Sequence, residues 1–230
     1  LPNANVTNAF NGGKAADLIS AGENDTSRAI YLQGGTVQNI YGGSDSSGTV
    51  TVSNVYIASG NTTNVYGGNN QGGITQTTNV TINGGIVQDV YGGGNQAVTN
   101  VTNVYIYGNV SKNVFGGGNQ AGINTNTNVT LIGATIGDNV YGGGNQGTVT
   151  QNTYVKVKNS ILQNSLYAGG NGISAVVYRD VNLTMEGTNQ VTNSVFGGGN
   201  QAATGTELTN NSKSTVNIVG ATIGGNVYGG

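Results

Sequence analysis

The chain contains no histidine and no cysteine. Those two absences remove the commonest metal ligands, general bases and thiol nucleophiles. No disulfide can hold the fold, so stability must come from backbone ladders and a packed core. Tryptophan is missing as well, and proline occurs once. Charge is scarce: 7% of residues are charged and the formal net charge is −2. Such a chain has no electrostatic footprint for nucleic acid. No apolar run approaches the roughly 18 residues that a membrane span needs. Nucleic-acid binding and membrane insertion are therefore not expected, and no cofactor is implied.

Glycine is what the chain has in quantity, with 42 residues, and its glycines are periodic. The organising stretch is Asp89-Val90-Tyr91-Gly92-Gly93-Gly94-Asn95-Gln96. Copies of it place an aliphatic residue at 40, 65, 90, 114, 140, 166, 195 and 227, with steps of 25, 25, 24, 26, 26, 29 and 32 residues. A fixed period between about 20 and 50 residues marks a solenoid, a propeller or an array.

One repeat, residues 79–104, sets the template. Asn79-Val80-Thr81-Ile82 alternates polar and apolar, the signature of a half-buried strand. Asn83-Gly84-Gly85 reads as a turn. A second extended segment, Ile86 to Tyr91, runs into the glycine corner. A weaker third strand falls around Ile74, Val98, Ile123 or Val149. A propeller blade needs about 40 residues, and left-handed hexapeptide helices use shorter coils. The expected fold is all-β: a right-handed, single-stranded parallel β-helix (β-solenoid) of about 8 coils of about 25 residues. Stacking at about 4.8 Å would make a rod of roughly 40 Å. Val80, Ile82, Ile86 and Val90 are expected inside, each heading a column of like side chains.

Residues 1–28 are the least regular and read as an N-terminal cap or irregular first coil. Asn8 to Gly13 resembles a degenerate copy, and Lys14 to Ala21 has helix-forming composition. Residues 29–230 read as β-helix repeats, with looser coils and insertions at 172–215. The chain opens on Leu1 without a signal peptide and closes inside a copy of the motif. A removed leader and a longer parent protein are the expectation. The open last coil would present unpaired strand edges, so end-to-end self-association is expected too.

The nine acidic residues are scattered along the chain. Asp89 and Asp138 occupy nearby places in their repeats, where other copies carry Asn, and read as interchangeable polar groups. Lys156, Lys158 and Arg179 form the one candidate cationic cluster for carbohydrate chemistry. Calcium-binding β-rolls follow their glycines with Asp on a nine-residue period, a pattern absent here. No Gly-Lys-Ser/Thr follows the glycine runs, so they are not phosphate loops. No catalytic or metal-ligating residue emerges.

The sharpest feature is an aromatic column: Tyr41, Tyr66, Tyr91, Phe115, Tyr141, Tyr167, Phe196 and Tyr228. Each ring follows an inward aliphatic residue. Stacked at strand spacing, the rings would form a ladder contributing about 0.5–1 kcal/mol per pair. Such a column either holds the coils together or offers a platform to sugar rings.

The repeat Thr-Asn-Val-Thr-Ile-Asn-Gly-Gly-Ile-Val-Gln-Asp-Val-Tyr-Gly-Gly-Gly-Asn-Gln, residues 78–96, resembles the glycine-rich repeats of large bacterial secreted or cell-surface proteins. Many of those are similar to β-helical adhesins of pectin-lyase-like architecture. The resemblance covers residues 29–230 and implies an extracellular or cell-surface stalk or adhesin. Its implied partners are host or environmental glycans or surface proteins. That architecture also hosts lyases and hydrolases, but no active-site motif matches here, so the expectation is a non-catalytic module. The alternatives are a carbohydrate-active β-helix enzyme, or a phage fibre, filament-forming or ice-binding solenoid. Ice binding would want regular outward threonines, whereas the outward first-strand positions read Tyr56, Thr81, Tyr105, Thr130 and Lys156.

Overall fold

The computed structural model describes residues 5–15, 29–205 and 212–230. Among them every regular element is a strand, and the strands join in one parallel sheet of 20 strands. The protein is a parallel β-solenoid, each coil lying in register on the coil before it.

Register explains the core. On the first face Val55, Val80, Val104, Val129, Val155, Leu183 and Val216 lie side by side across successive strands. On the second face Val65, Val90, Val114, Val140, Leu166, Val195 and Val227 do the same. Parallel pairing at repeat spacing sets like upon like, so one inward aliphatic per repeat becomes a continuous column. Val80, Ile82 and Val90 are fully buried in that core. Each such side chain contributes about 1.5–3 kcal/mol by leaving water.

Ile86 departs from expectation. It is 63% exposed, and Val87 is buried in its place. Strict alternation fails because Val87 and Val90, three apart, both point inward, with half-buried Gln88 and Asp89 between them. The chain bends there. The same offset puts Val110, Ile136 and Leu162 inside, while Ile161 faces water.

The third face also differs in detail. Ile74 and Val98 stand half-buried at the start of long strands, Ile74–Ile82 and Val98–Ile106. The residues that continue the inward column are Thr75 and Thr99, after Val50 and before Ile123, Val149 and Val177. Hydroxyl residues thus share a column with aliphatic ones.

Two kinds of corner need glycine for different reasons. At Gly85 the backbone is left-handed, with φ of 83°. At Gly92 the backbone is ordinary but the coils crowd: a Cβ would lie 2.2 Å from the Gly116 carbonyl oxygen. A buried hydroxyl stitches this second corner to the first strand. The Oγ1 groups of Thr78, Thr102, Thr127 and Thr153 donate at 2.6 Å to the carbonyls of Gly92, Gly116, Gly142 and Ala168. The threonine two places before each of these first-face valines therefore satisfies a corner acceptor that the ladder leaves open.

At the N-terminal end, Asn5–Phe10 pairs in parallel with Thr36–Tyr41, so the degenerate copy forms a rung of the stack. Most of the helix-forming stretch lies outside the described residues. There are fewer complete turns than the eight expected, because the first and last copies contribute only part of a coil. The insertion after Asn171 leaves the register intact, since Val177 still pairs with Val149 and Thr204. Part of the second insertion, residues 206–211, lies outside the described residues.

Candidate functional site

The aromatic column is a continuous stack. Nine rings, from Phe10 through Tyr41, Tyr66, Tyr91, Phe115, Tyr141, Tyr167 and Phe196 to Tyr228, lie with centroids 4.6–5.0 Å apart and planes within 4–12°. The spacing is that of the strands, so each ring covers its neighbour's face. The five rings from Tyr41 to Tyr141 are also buried at their edges, and Tyr167 and Phe196 are half-buried. Tyr228 is 48% exposed. Phe10 extends the column one rung beyond the eight positions expected.

Burial shifts the phenols. Desolvation, then neighbouring Asp89, pushes the Tyr91 hydroxyl up to about 12. Tyr66 and Tyr141 are raised further, mainly by burial, with smaller contributions from adjacent ladder tyrosines and from Asp89 or Asp138. Tyr41 is raised by burial and by Asp45. These groups stay protonated through the physiological range, so they offer no base and no nucleophile.

Amide ladders also run from coil to coil. In the corner column each Asn donates through Nδ2 to the residue one coil earlier, from Asn200 through Asn171, Asn145, Asn119, Asn95 and Asn70 to Asp45, at 2.8–3.0 Å. Every bond points the same way, and a carboxylate accepts the last one. Asn54, Asn79, Asn103 and Asn128 form a second ladder on the first face at 3.0 Å.

The acidic residues belong to such columns. Asp89 accepts from the Asn113 backbone and side chain at 3.1 and 3.0 Å. Asp138 accepts from Asn164 at 2.7 Å and Asn139 at 2.8 Å. Asp180 accepts from the Lys213 amide at 2.8 Å. Among the described residues no three His, Cys, Asp or Glu side chains gather as a metal site would require.

The cationic cluster does not assemble as a unit. Lys156 and Lys158 share the outer side of the strand Thr153–Lys158, and Lys156 Nζ lies 3.6 Å from Glu186 Oε2. Arg179 stands two residues before Val181, which pairs with Thr153. It lies outside the strand Val181–Glu186, five positions before Thr184, the partner of Lys156.

A feature that the sequence reading missed lies on this face. A shallow cleft of about 260 Å³ is lined by Asn128, Thr130, Tyr154, Lys156, Asn182, Thr184 and Glu186, with Val129 and Val155 at its floor. Three successive coils contribute to it. The signal available in the sequence was the substitution of Tyr154 for the Asn of the preceding repeats.

No protein-family model, curated protein or solved structure matches the chain. The functional reading rests on the fold and on the chemistry of these columns.

Proposed function

We propose that the chain is a non-catalytic structural or adhesive module of a bacterial extracellular or cell-surface repeat protein, serving as a rigid stalk or presenting a flat binding surface. The observation that carries this reading is the unbroken corner ladder from Asp45 to Asn200, whose polar groups are committed to the neighbouring coils. A catalytic pocket needs the opposite: titratable groups of perturbed pKa converging on open space. Here the most strongly perturbed groups, Tyr66, Tyr91 and Tyr141, are phenols packed between other rings. Successive coils joined by backbone bonds, stacked rings and one-directional amide bonds resist bending, which suits a stalk. Placement at the cell surface is supported by the resemblance of the glycine-rich repeat.

The test is incubation with a panel of neutral and acidic polysaccharides, following both reducing-end release and the ultraviolet absorbance of unsaturated products. The expected result is no release above a buffer control. Turnover that disappears in Lys156→Ala would replace this reading with the enzymatic one.

A further inference from the structure

The cleft on the first face has the lining of a saccharide subsite, and we propose that it binds a short neutral oligosaccharide. This inference rests on the non-catalytic reading above and names a site for it. The aromatic ladder cannot be that site in its middle coils, because each ring face there is covered by the next ring. Tyr154 is different. It lies outside the ladder and is 42% exposed.

Tyr154 also breaks a pattern. Along this column Asn79, Asn103 and Asn128 each donate to the Asn one coil earlier. Tyr154 occupies the next place and has no amide to donate. The Asn128 side-chain oxygen, which the next Asn would have satisfied, accepts no bond from the described residues. Asn182, on the far side of Tyr154, donates at 3.3 Å to the Thr153 carbonyl, and its own side-chain oxygen accepts no bond from the described residues either. The interruption therefore leaves two amide acceptors flanking one exposed ring.

Charge completes the lining. Lys156 and Glu186 are 52% and 42% exposed at the side chain and sit 3.6 Å apart. An ammonium has three donors and a carboxylate about four lone-pair sites, so both keep capacity for a ligand after pairing. Thr130 and Thr184 place hydroxyls on either side of Lys156. The cleft thus offers donors and acceptors in balance beside an aromatic face. That combination fits a sugar, whose C–H face packs on a ring while its hydroxyls both donate and accept. The pairing of Lys156 with Glu186 offsets the charge at the centre, which favours a neutral ligand over an acidic one. At about 260 Å³ the cleft is below the usual size for drug-like ligands. It suits one sugar ring, with its neighbours running along the sheet.

The experiment titrates the 230-residue chain with cellotriose, xylotriose, mannotriose and trigalacturonic acid, followed by amide chemical shifts. At least one neutral trisaccharide should bind saturably and shift amides at 128–130, 154–156 and 182–186. Tyr154→Ala should weaken that binding at least tenfold, and Glu186→Gln should weaken it measurably. Tyr31→Ala, an exposed ring several coils away on the same face, should leave it unchanged. Circular dichroism confirms that each variant is folded. The proposal is overturned if no neutral trisaccharide binds, if Tyr154→Ala binds as tightly as the parent, or if only trigalacturonic acid binds and salt abolishes it. Cleavage of the sugars in the same samples would contradict the non-catalytic reading and leave the site standing. Absence of binding would remove the site and leave that reading untouched.

Discussion

The coils from Tyr66 to Tyr141 and those from Tyr167 to Tyr228 are built on one plan with different strictness. The first group steps by 24–26 residues, and the second by 29 and 32. Both keep the inward aliphatic columns and the strand register. The second group loses other members. Ser165 and Ser194 replace the Asn that stands before the inward aliphatic residue at Asn64, Asn113 and Asn139, Ala168 replaces a corner Gly, and Val181 replaces the stitching Thr. Where Val181 has no hydroxyl, the Gly197 carbonyl accepts from Ser214 of the next coil at 2.9 Å. The extra residues leave the stack altogether, as Ile173 shows at 81% exposure. The difference separates what a coil requires from what it can spare. Aliphatic columns and a satisfied corner are required. An Asn before every inward aliphatic residue is not, and neither is uniform length, because loop closure cost rises slowly with length.

The strongest way to break this distinction is to place a charge in each region. Val90→Asp buries an unpaired carboxylate in a continuous apolar column and should cost more than about 4 kcal/mol, enough to unfold the neighbouring coils. Ile173→Asp in the insertion should stay within about 0.5 kcal/mol. Thermal melts followed by circular dichroism compare the two. Equal losses would mean that the insertion is part of the core.

Corner crowding gives a smaller contrast. Gly92→Ala should cost about 1–3 kcal/mol, since its methyl would meet the Gly116 carbonyl. Ala168→Gly, at the same column position in the looser region, should change stability by less than that. Urea midpoints decide the order.

Opposite signs are expected for two buried threonines. Thr127→Val leaves the Gly142 carbonyl without its 2.6 Å partner and should destabilise by about 1–3 kcal/mol. Thr99→Val should be neutral or stabilising by about 1 kcal/mol, because the Thr99 hydroxyl is buried with no partner among the described residues. In the preceding coil Thr75 donates to Asn69 at 3.1 Å, but Gly94 stands where Asn69 would be. Destabilisation by both substitutions would refute this account of the third face.

The mildest effect is with pH. Tyr91 titrates near 12 in the fold and near 10 when unfolded. Above pH 10 the unfolded chain therefore holds fewer protons than the folded one, so stability falls as pH rises from about 10 to 12. Below pH 10 the tyrosine contribution is fully present. Absorbance titration should show the phenols of Tyr66, Tyr91 and Tyr141 ionising above the ordinary tyrosine range.

Much of the fold was legible because repetition amplifies a weak pattern. Val80, Ile82 and Val90 alternate within short strands, and seven or eight copies make the alternation unmistakable. Ile86 was misplaced because period-2 reasoning assumes a straight strand, and the chain bends between Val87 and Val90. Thr75 and Thr99 were overlooked because a hydroxyl residue looks polar in sequence, whereas their neighbours Ile74 and Val98 looked like core. The cleft at Tyr154 was not legible, since its lining comes from coils more than 20 residues apart. The substitution of Tyr for Asn marks the place without revealing the space beside it.

The central claim is that the ring column holds the coils together rather than receiving a ligand. Replacing Tyr91 tests it most directly, by melting temperature and trisaccharide affinity measured on the same variants. Tyr91→Phe should leave both unchanged, because Phe115 occupies the next rung without a hydroxyl. Tyr91→Ala should lower Tm by roughly 6 °C or more while leaving affinity at the cleft within twofold. An unchanged Tm with lost saccharide binding would contradict the account.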